Sequence, residues 1–540
     1  MKKTYEFVVI GSGFGGAISA CRLAQAGRSV CILERGKRWD KGAFPRTTGQ
    51  VSGKAFWDEQ KQYGFLEYKA FRRIDVIQGC GVGGGSLHYF NVHIRTPERV
   101  FQEPWPSEIA RPVLDPYYDL AKDGLDARPL EPPVGLPIPS RTTAFMDAAT
   151  AAGKNPSLVD IAVHTGPDRS GSGGHLQSAC TYCGNCLLGC HVHAKNTLDL
   201  NYLALAESQH GAEIYPLHAV TYLTPAKQGG YDVHFQHLDP ECPGQFEIGT
   251  VHGTHVIFSA GALGSTELLL KCRDEKGALP GLSNALGSRF SGNGDFLLAG
   301  TLGANRDVDP GWGPSITASA DWSSPDHVIT IEDLGLPDPL FWYLEGLLPS
   351  GQRLRDLLRF SWVYLLQTLG RSWGSTRVSR EIDALIMGGR TTHFLPYLGI
   401  GTDAADGQMQ LRNGAIDIQW QHRRSKALFR EIENAMREMT RQLGGRYATS
   451  LLWRWPLRKL LTAHPLGGCP MGTRPDNSVV DHRGEVWGHP GLYVCDGSTI
   501  PTALGVNPSM TICALAERTA FLILHKREMR ASDPQTPQNT

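Results

Sequence analysis

Apolar and polar positions along the chain fall into segments of distinct spacing. A continuous apolar run, Phe7-Val8-Val9-Ile10, is followed by Gly11-Ser12-Gly13-Phe14-Gly15-Gly16. A helical stretch over 17–26 and a second apolar run, Val30-Cys31-Ile32-Leu33, come next. This predicts a buried strand, a glycine turn, a helix and a second buried strand. Alternation over Tyr231-Asp232-Val233-His234-Phe235 and the runs Glu213-Ile214 and Val256-Ile257-Phe258 predict further strands of the same sheet. Another strand, Val328-Ile329-Thr330-Ile331, ends in Glu332 and Asp333. Helical spacing recurs over 198–203 and over 426–443, the latter read as a scaffold helix. Trp39 to Arg73 reads as a polar, aromatic-rich loop. Strands alternating with helices make this an α/β chain.

At 540 residues the chain exceeds one ordinary core, so at least two lobes are expected. Basic and acidic residues balance at 53 each, which offers nothing to a nucleic acid. Lys2-Lys3-Thr4 runs straight into the first strand, and no apolar stretch is long enough for a membrane span, which together point to a cytoplasmic protein. The stretch 530–540, rich in Pro, Gln, Ser and Thr, reads as a disordered tail.

The opening strand, turn and helix have the parts of a dinucleotide site. Gly11 permits the tight turn, Gly13 lets backbone N–H groups approach a pyrophosphate, and Gly16 lets the helix pack against the strand. Phe14 and Gly15 complete this cofactor-binding turn, and the helix over 17–26 would point its positive end at the phosphates. Glu34, just past the second strand, is placed to accept from a ribose diol. A second glycine-rich stretch runs Gly79-Cys80-Gly81-Val82-Gly83-Gly84-Gly85-Ser86-Leu87-His88-Tyr89, suited to close backbone approach to a flat or charged ligand.

With these two stretches, Phe258-Ser259-Ala260-Gly261-Ala262-Leu263-Gly264-Ser265, His464-Pro465-Leu466-Gly467-Gly468, Val494-Cys495-Asp496-Gly497-Ser498 and Val506-Asn507-Pro508, the chain resembles the glucose-methanol-choline (GMC) oxidoreductases, and within them the sterol-oxidase-like branch. The resemblance implies FAD bound in a Rossmann-type domain over 1–100, 195–300 and 462–529. A Pro- and Cys-rich insertion would occupy 101–194, and a sheet-plus-helix substrate domain 301–461. It places Gly83, Gly84, Gly85, Ser86, Asp496 and Asn507 at the flavin, and His88 where some members attach it covalently; a neutral, hydrogen-bonded histidine is the alternative. It also assigns His464 as base or positioning group for an alcohol, Asn507 as its partner at the same oxygen, and Glu332 as a proton carrier in double-bond isomerisation. Tyr89 departs from the branch, which usually has Asn there.

Cys180, Cys183, Cys186 and Cys190 follow the C-x2-C-x2-C-x3-C spacing of an iron–sulfur run, with His191 where ferredoxins have Pro. The readings are a [4Fe-4S] or [3Fe-4S] cluster, structural thiols, or zinc. A cluster would carry electrons to a redox protein; without one, oxygen is the expected acceptor. Apolar residues at helical spacing with interleaved arginines over 338–385 read as a core-packed helix or as an apolar lid making peripheral membrane contact. The reaction expected is hydride transfer from the hydroxyl-bearing carbon of a sterol, steroid or other lipophilic alcohol to flavin. The alternatives are a long-chain alcohol oxidase or dehydrogenase, and a flavin-binding electron-transfer protein with no alcohol substrate.

Overall fold

The computed structural model describes residues 1–58, 63–171, 173–239, 242, 244–340, 358, 361–362, 393–454 and 458–526. In the first of two large sheets, Thr4–Ile10 lies between Val30–Leu33 and Phe246–Phe258, all parallel. Glu213–Tyr215 extends one side in parallel, Leu492–Val494 pairs parallel to Phe246–Phe258, and the antiparallel strands Tyr231–Leu238 and His218–Pro225 close the other side. Val8, Val9, Ile32 and Ile257 are fully buried, because helices and loops cover both faces of this sheet.

Register fixes where the sheet can bind a ligand. Ile10 pairs with Leu33 and with Phe258, and Phe258 pairs with Val494. The residues that follow, Gly11, Glu34, Ser259 and Cys495, therefore leave the sheet side by side along one edge, at the carboxyl ends where open α/β sheets bind their ligands.

The second sheet is antiparallel, in the order Arg446–Thr449, Phe296–Leu302, Phe394–Gly401, Ile329–Asp333, Ala318–Asp321, Ser157–Leu158. Helix Lys426–Gln442 covers it with Leu428, Phe429, Ile432, Met436 and Met439, which helical spacing puts on one buried stripe. The segment 101–194 divides between the lobes. Helix Arg111–Gly124 packs on the C-terminal helix Ser509–Leu524, whereas helix Ser140–Ala151 and strand Ser157–Leu158 join the second sheet.

Between Trp39 and Arg73, where a loop was expected, lie helix Thr48–Lys54 and strand Leu66–Ala70. Thr47 and Gln50 form a capping box, a Thr-x-x-Gln signature that outweighs the polar composition around it. The expected lid over 338–385 lies outside the described residues apart from the turn Asp338–Leu340 and residues 358, 361 and 362; the expected tail over 530–540 lies wholly outside them. Among the described residues no helix is long and apolar enough to cross a membrane.

Candidate active site

A cavity of about 1040 Å³ runs from the carboxyl edge of the first sheet into the space between the two lobes. Gly11, Gly13, Phe14, Gly15, Glu34, Gly84, Gly85, His88, Asp496, Asn507 and His464 all border it. Gly16, Gly83 and Ser86 stand behind its wall: Ser86 Oγ donates to Gly83 O at 2.7 Å and accepts from Leu198 N at 3.0 Å, holding the second glycine turn in place.

The two glycine turns touch. Gly84 has φ +52°, and a Cβ on it would lie 2.6 Å from Gly13 Cα. Helix Phe14–Gln25 starts at Gly13 with no side-chain cap and no acid in its first turn, so its first N–H groups are left for an anion. Glu34 accepts from Ser12 N, Ser12 Oγ, Gly36 N and Gly81 N at 2.7–3.2 Å, which knits both turns to the second strand. Asp496 likewise accepts from Ser498 N, Ser498 Oγ, Gly261 N and Ser265 Oγ, and burial raises its pKa. His88 is kept neutral, its pKa pushed down to about 3 by burial and by the neighbouring charges of Lys195 and His464. Among the described residues His88 Nε2 and Asn507 Oδ1, both buried on cavity-bordering side chains, have no hydrogen-bond partner. A phosphate-ready helix end beside two orphaned polar atoms fits an FAD.

The reacting end is built by three loops. Strand Leu460–Thr462, parallel to Ile74–Gly79, delivers His464 to the cavity. His464 Nδ1 lies 2.8 Å from Asp295 Oδ1. Asn507 precedes the C-terminal helix, and its Nδ2 donates to Glu332 Oε2 at 3.3 Å. Asn293, two residues before Asp295, holds the Asn507 loop: it donates to Val506 O at 2.7 Å and accepts from Leu504 N and Gly505 N. Sequence reasoning missed Asn293 and Asp295. A lone Asn and Asp in a glycine-rich turn carry no local signal; their partners are more than 150 residues away.

Glu332 and Asp333 show what strand alternation does to neighbouring acids. Asp333 accepts from Thr317 N, Ala318 N and Thr142 Oγ1 at 2.8 Å and lies 3.4 Å from the guanidinium of fully buried Arg141, so it locks helix Ser140–Ala151 to the sheet. Glu332 points the other way, to Asn507, and its Oε1 has no partner among the described residues. Burial, reinforced by the charges of Asp333 and Asp295, pushes its pKa up to about 8. The folded protein therefore holds a proton on Glu332 that the unfolded chain releases above the ordinary carboxylate range, and stability falls as pH rises from about 4.5 to about 8. Glu332→Gln is expected to gain Tm relative to wild type as pH is raised from 5 to 8.5, with little difference at pH 5. Parallel Tm profiles for the two proteins would refute a buried, protonated Glu332.

The cysteine run forms a loop tied to the second glycine turn through Lys195. Cys180, Cys183, Cys186 and Cys190 are free thiols, and among the described residues no group of three or more His, Cys, Asp or Glu side chains is placed to hold a metal ion. Two cations brace the loop through its carbonyls. Lys195 Nζ, its pKa lowered to about 8 by burial, donates to Cys186 O at 2.8 Å and also to Leu87 O and Tyr89 O of the second glycine stretch. Arg46 donates to Leu188 O and Gly189 O. The loop presents Leu187 to the cavity, while Leu188 is buried beside Trp39, Phe44 and Phe65. Burial raises the Cys180 and Cys190 thiols above their ordinary range.

Known proteins place this site in its class. Residues 6–135 match the FAD dependent oxidoreductase family and residues 405–516 the GMC oxidoreductase family. A cholesterol oxidase of Mycobacterium tuberculosis is 31% identical, with 99% of this chain and 94% of that protein covered. One from Acinetobacter baumannii is 29% identical over 97% and 95%. A long-chain-alcohol oxidase of Arabidopsis thaliana is 26% identical, covering 96% of this chain and 67% of the plant protein. The crystal structure of a pyridoxine 4-oxidase from Mesorbium loti superposes with a TM-score of 0.63 at 15% identity, covering 96% of this chain and 99% of that one, and shares the fold. The chain belongs to the GMC oxidoreductase family. It is an FAD-dependent alcohol oxidoreductase, similar along nearly its whole length to cholesterol oxidases.

Proposed function

We propose that this protein oxidises the secondary hydroxyl of a sterol or steroid to a ketone and passes the electrons to oxygen. The observation that carries this reading is one cavity bordered by His464, Asn507, both glycine turns and the apolar side chains Leu187, Leu297, Leu334, Leu336 and Leu340. Such a lining suits a rigid apolar body that presents a single hydroxyl. The two cholesterol oxidases above support both the substrate class and oxygen as acceptor.

Gly11, Gly13, Phe14, Gly15, Gly84, Gly85, Glu34 and Asp496 would hold the flavin, which would supply the hydride acceptor. His464 takes the hydroxyl proton, because an alkoxide gives up its carbon-bound hydride far more readily than a neutral alcohol. Asn507 fixes the same oxygen, and its Nδ2 is itself oriented by Glu332. In any isomerisation that follows, the ionised form of Glu332, a minor one near neutral pH, would take the proton beside the new carbonyl and return it further along the conjugated system. His88, kept neutral by burial, borders the same cavity.

The plant relative favours a second reading, a long-chain primary alcohol as substrate. Anaerobic mixing of the holoenzyme with cholesterol and, separately, with hexadecanol separates the two. Faster bleaching of the flavin by the sterol is expected; faster bleaching by hexadecanol would give the second reading, and bleaching by neither would leave a flavin electron-transfer protein. In air, one hydrogen peroxide per ketone and near-zero iron per flavin are expected. About three or four irons per flavin would restore a cluster on Cys180, Cys183, Cys186 and Cys190 and move the acceptor from oxygen to a redox protein.

A further inference from the structure

Asp295 sits at the head of strand Phe296–Leu302, 2% exposed, with both carboxylate oxygens committed. Oδ2 accepts from Ala463 N at 3.0 Å and Thr462 Oγ1 at 2.8 Å, and Oδ1 faces His464 Nδ1 at 2.8 Å. Thr462 Oγ1 in turn accepts from His464 N at 2.8 Å, so the backbone leading into the histidine is anchored to the same group. A carboxylate oxygen can only accept, so the ring proton belongs on Nδ1, which leaves Nε2 with a free lone pair.

We infer that Asp295 is a positioning residue: it holds His464 in the Nδ1–H tautomer, the one form of the neutral ring whose Nε2 can take a proton from an alcohol. When Nε2 takes the hydroxyl proton, the ring becomes an imidazolium whose Nδ1–H remains bound to the carboxylate, so the new positive charge forms beside a fixed negative one. This rests on the base role proposed above for His464.

The geometry makes Asp295→Asn a selective test. Ala463 N–H can only donate, so the oxygen of the new amide must occupy the Oδ2 position, and its NH₂ must then face His464 Nδ1. The amide donates, Nδ1 becomes the acceptor, and the proton moves to Nε2, a tautomer that cannot accept from the alcohol. The shape of the side chain is unchanged. Rapid-mixing measurements should show anaerobic flavin reduction by cholesterol slowed roughly 10²- to 10⁴-fold, with flavin content retained.

The decisive readout is the tautomer itself. In flavin-loaded protein labelled with ¹⁵N-histidine, at a pH where the ring is neutral and with His464→Gln used for assignment, the wild type is expected to carry its proton on Nδ1 and Asp295→Asn on Nε2. A wild-type ring protonated on Nε2 would overturn the inference without any Asp295 variant having to fold. An Asp295→Asn enzyme that reduces flavin within twofold of wild type would overturn it as well. If His464→Ala alone left reduction undiminished, the base role would fall while the tautomer result stood, so the two failures are distinguishable.

Discussion

His464→Ala is expected to lower the rate constant of anaerobic flavin reduction by cholesterol by roughly 10²- to 10⁴-fold, the usual worth of general-base assistance. The change removes a side chain that is 15% exposed onto the cavity and is held by a loop whose anchors are elsewhere. Ala463 N and Thr462 Oγ1 still bind Asp295, so the backbone stays in place. Flavin content and the dissociation constant for the sterol should therefore change little, because the lost interaction belongs to the transition state. Weakened sterol binding at an unaltered reduction rate would mean that His464 only holds the alcohol, and the base would have to be sought elsewhere.

The second large effect concerns the cofactor. A Cβ on Gly15 would lie 1.6 Å from Cys495 O, a backbone atom that cannot swing aside. Gly15→Ala must push the start of helix Phe14–Gln25 away from the strand end at Val494, which displaces the helix terminus and the neighbouring Gly84 turn together. Such overpacking costs about 1–3 kcal/mol or more. The variant is expected to purify with little flavin and a lowered Tm. Gly13→Ala is the control, since its Cβ would meet nothing nearer than Ser259 O at 4.0 Å. It should keep the Tm of the flavin-free protein yet also lose flavin, because the added methyl points into the space the ligand needs. The flavin-to-protein absorbance ratio and the Tm of both variants check this. Full flavin in Gly13→Ala would move the pyrophosphate away from this turn.

What the chain declares locally, it declares well. The apolar run at Phe7, the glycine turn and the run at Val30 form a strand, turn, helix and strand because each depends on neighbours within a few residues. The same holds for helix Lys426–Gln442, whose buried stripe repeats at helical spacing. His464, Asn507, Asp496 and the glycines Gly11, Gly13, Gly15, Gly84 and Gly85 fall on one cavity because short motifs carry them there. Contacts between distant segments are a different matter. Strand Ser157–Leu158 is two residues long and exists because Ala318 and Ser319 lie beside it, so no periodicity can announce it. Asp295 acquires meaning from a histidine 169 positions later. The cysteine spacing was plain, but a spacing says which atoms are near in sequence and not which way a loop faces once Lys195 and Arg46 have taken its carbonyls.

The division of segment 101–194 between the lobes also bears on how this enzyme could be re-engineered. Helix Arg111–Gly124 leans on the C-terminal helix, while Ser157–Leu158 supplies the outermost ribbon of the second sheet. The half of the chain built on the second sheet therefore cannot be lifted out as a cassette between two cut points. A chimera that imports another specificity must exchange 140–158 along with the sheet from Phe296 onward. Otherwise Ala318–Asp321 would be left with a naked edge, an invitation to aggregation.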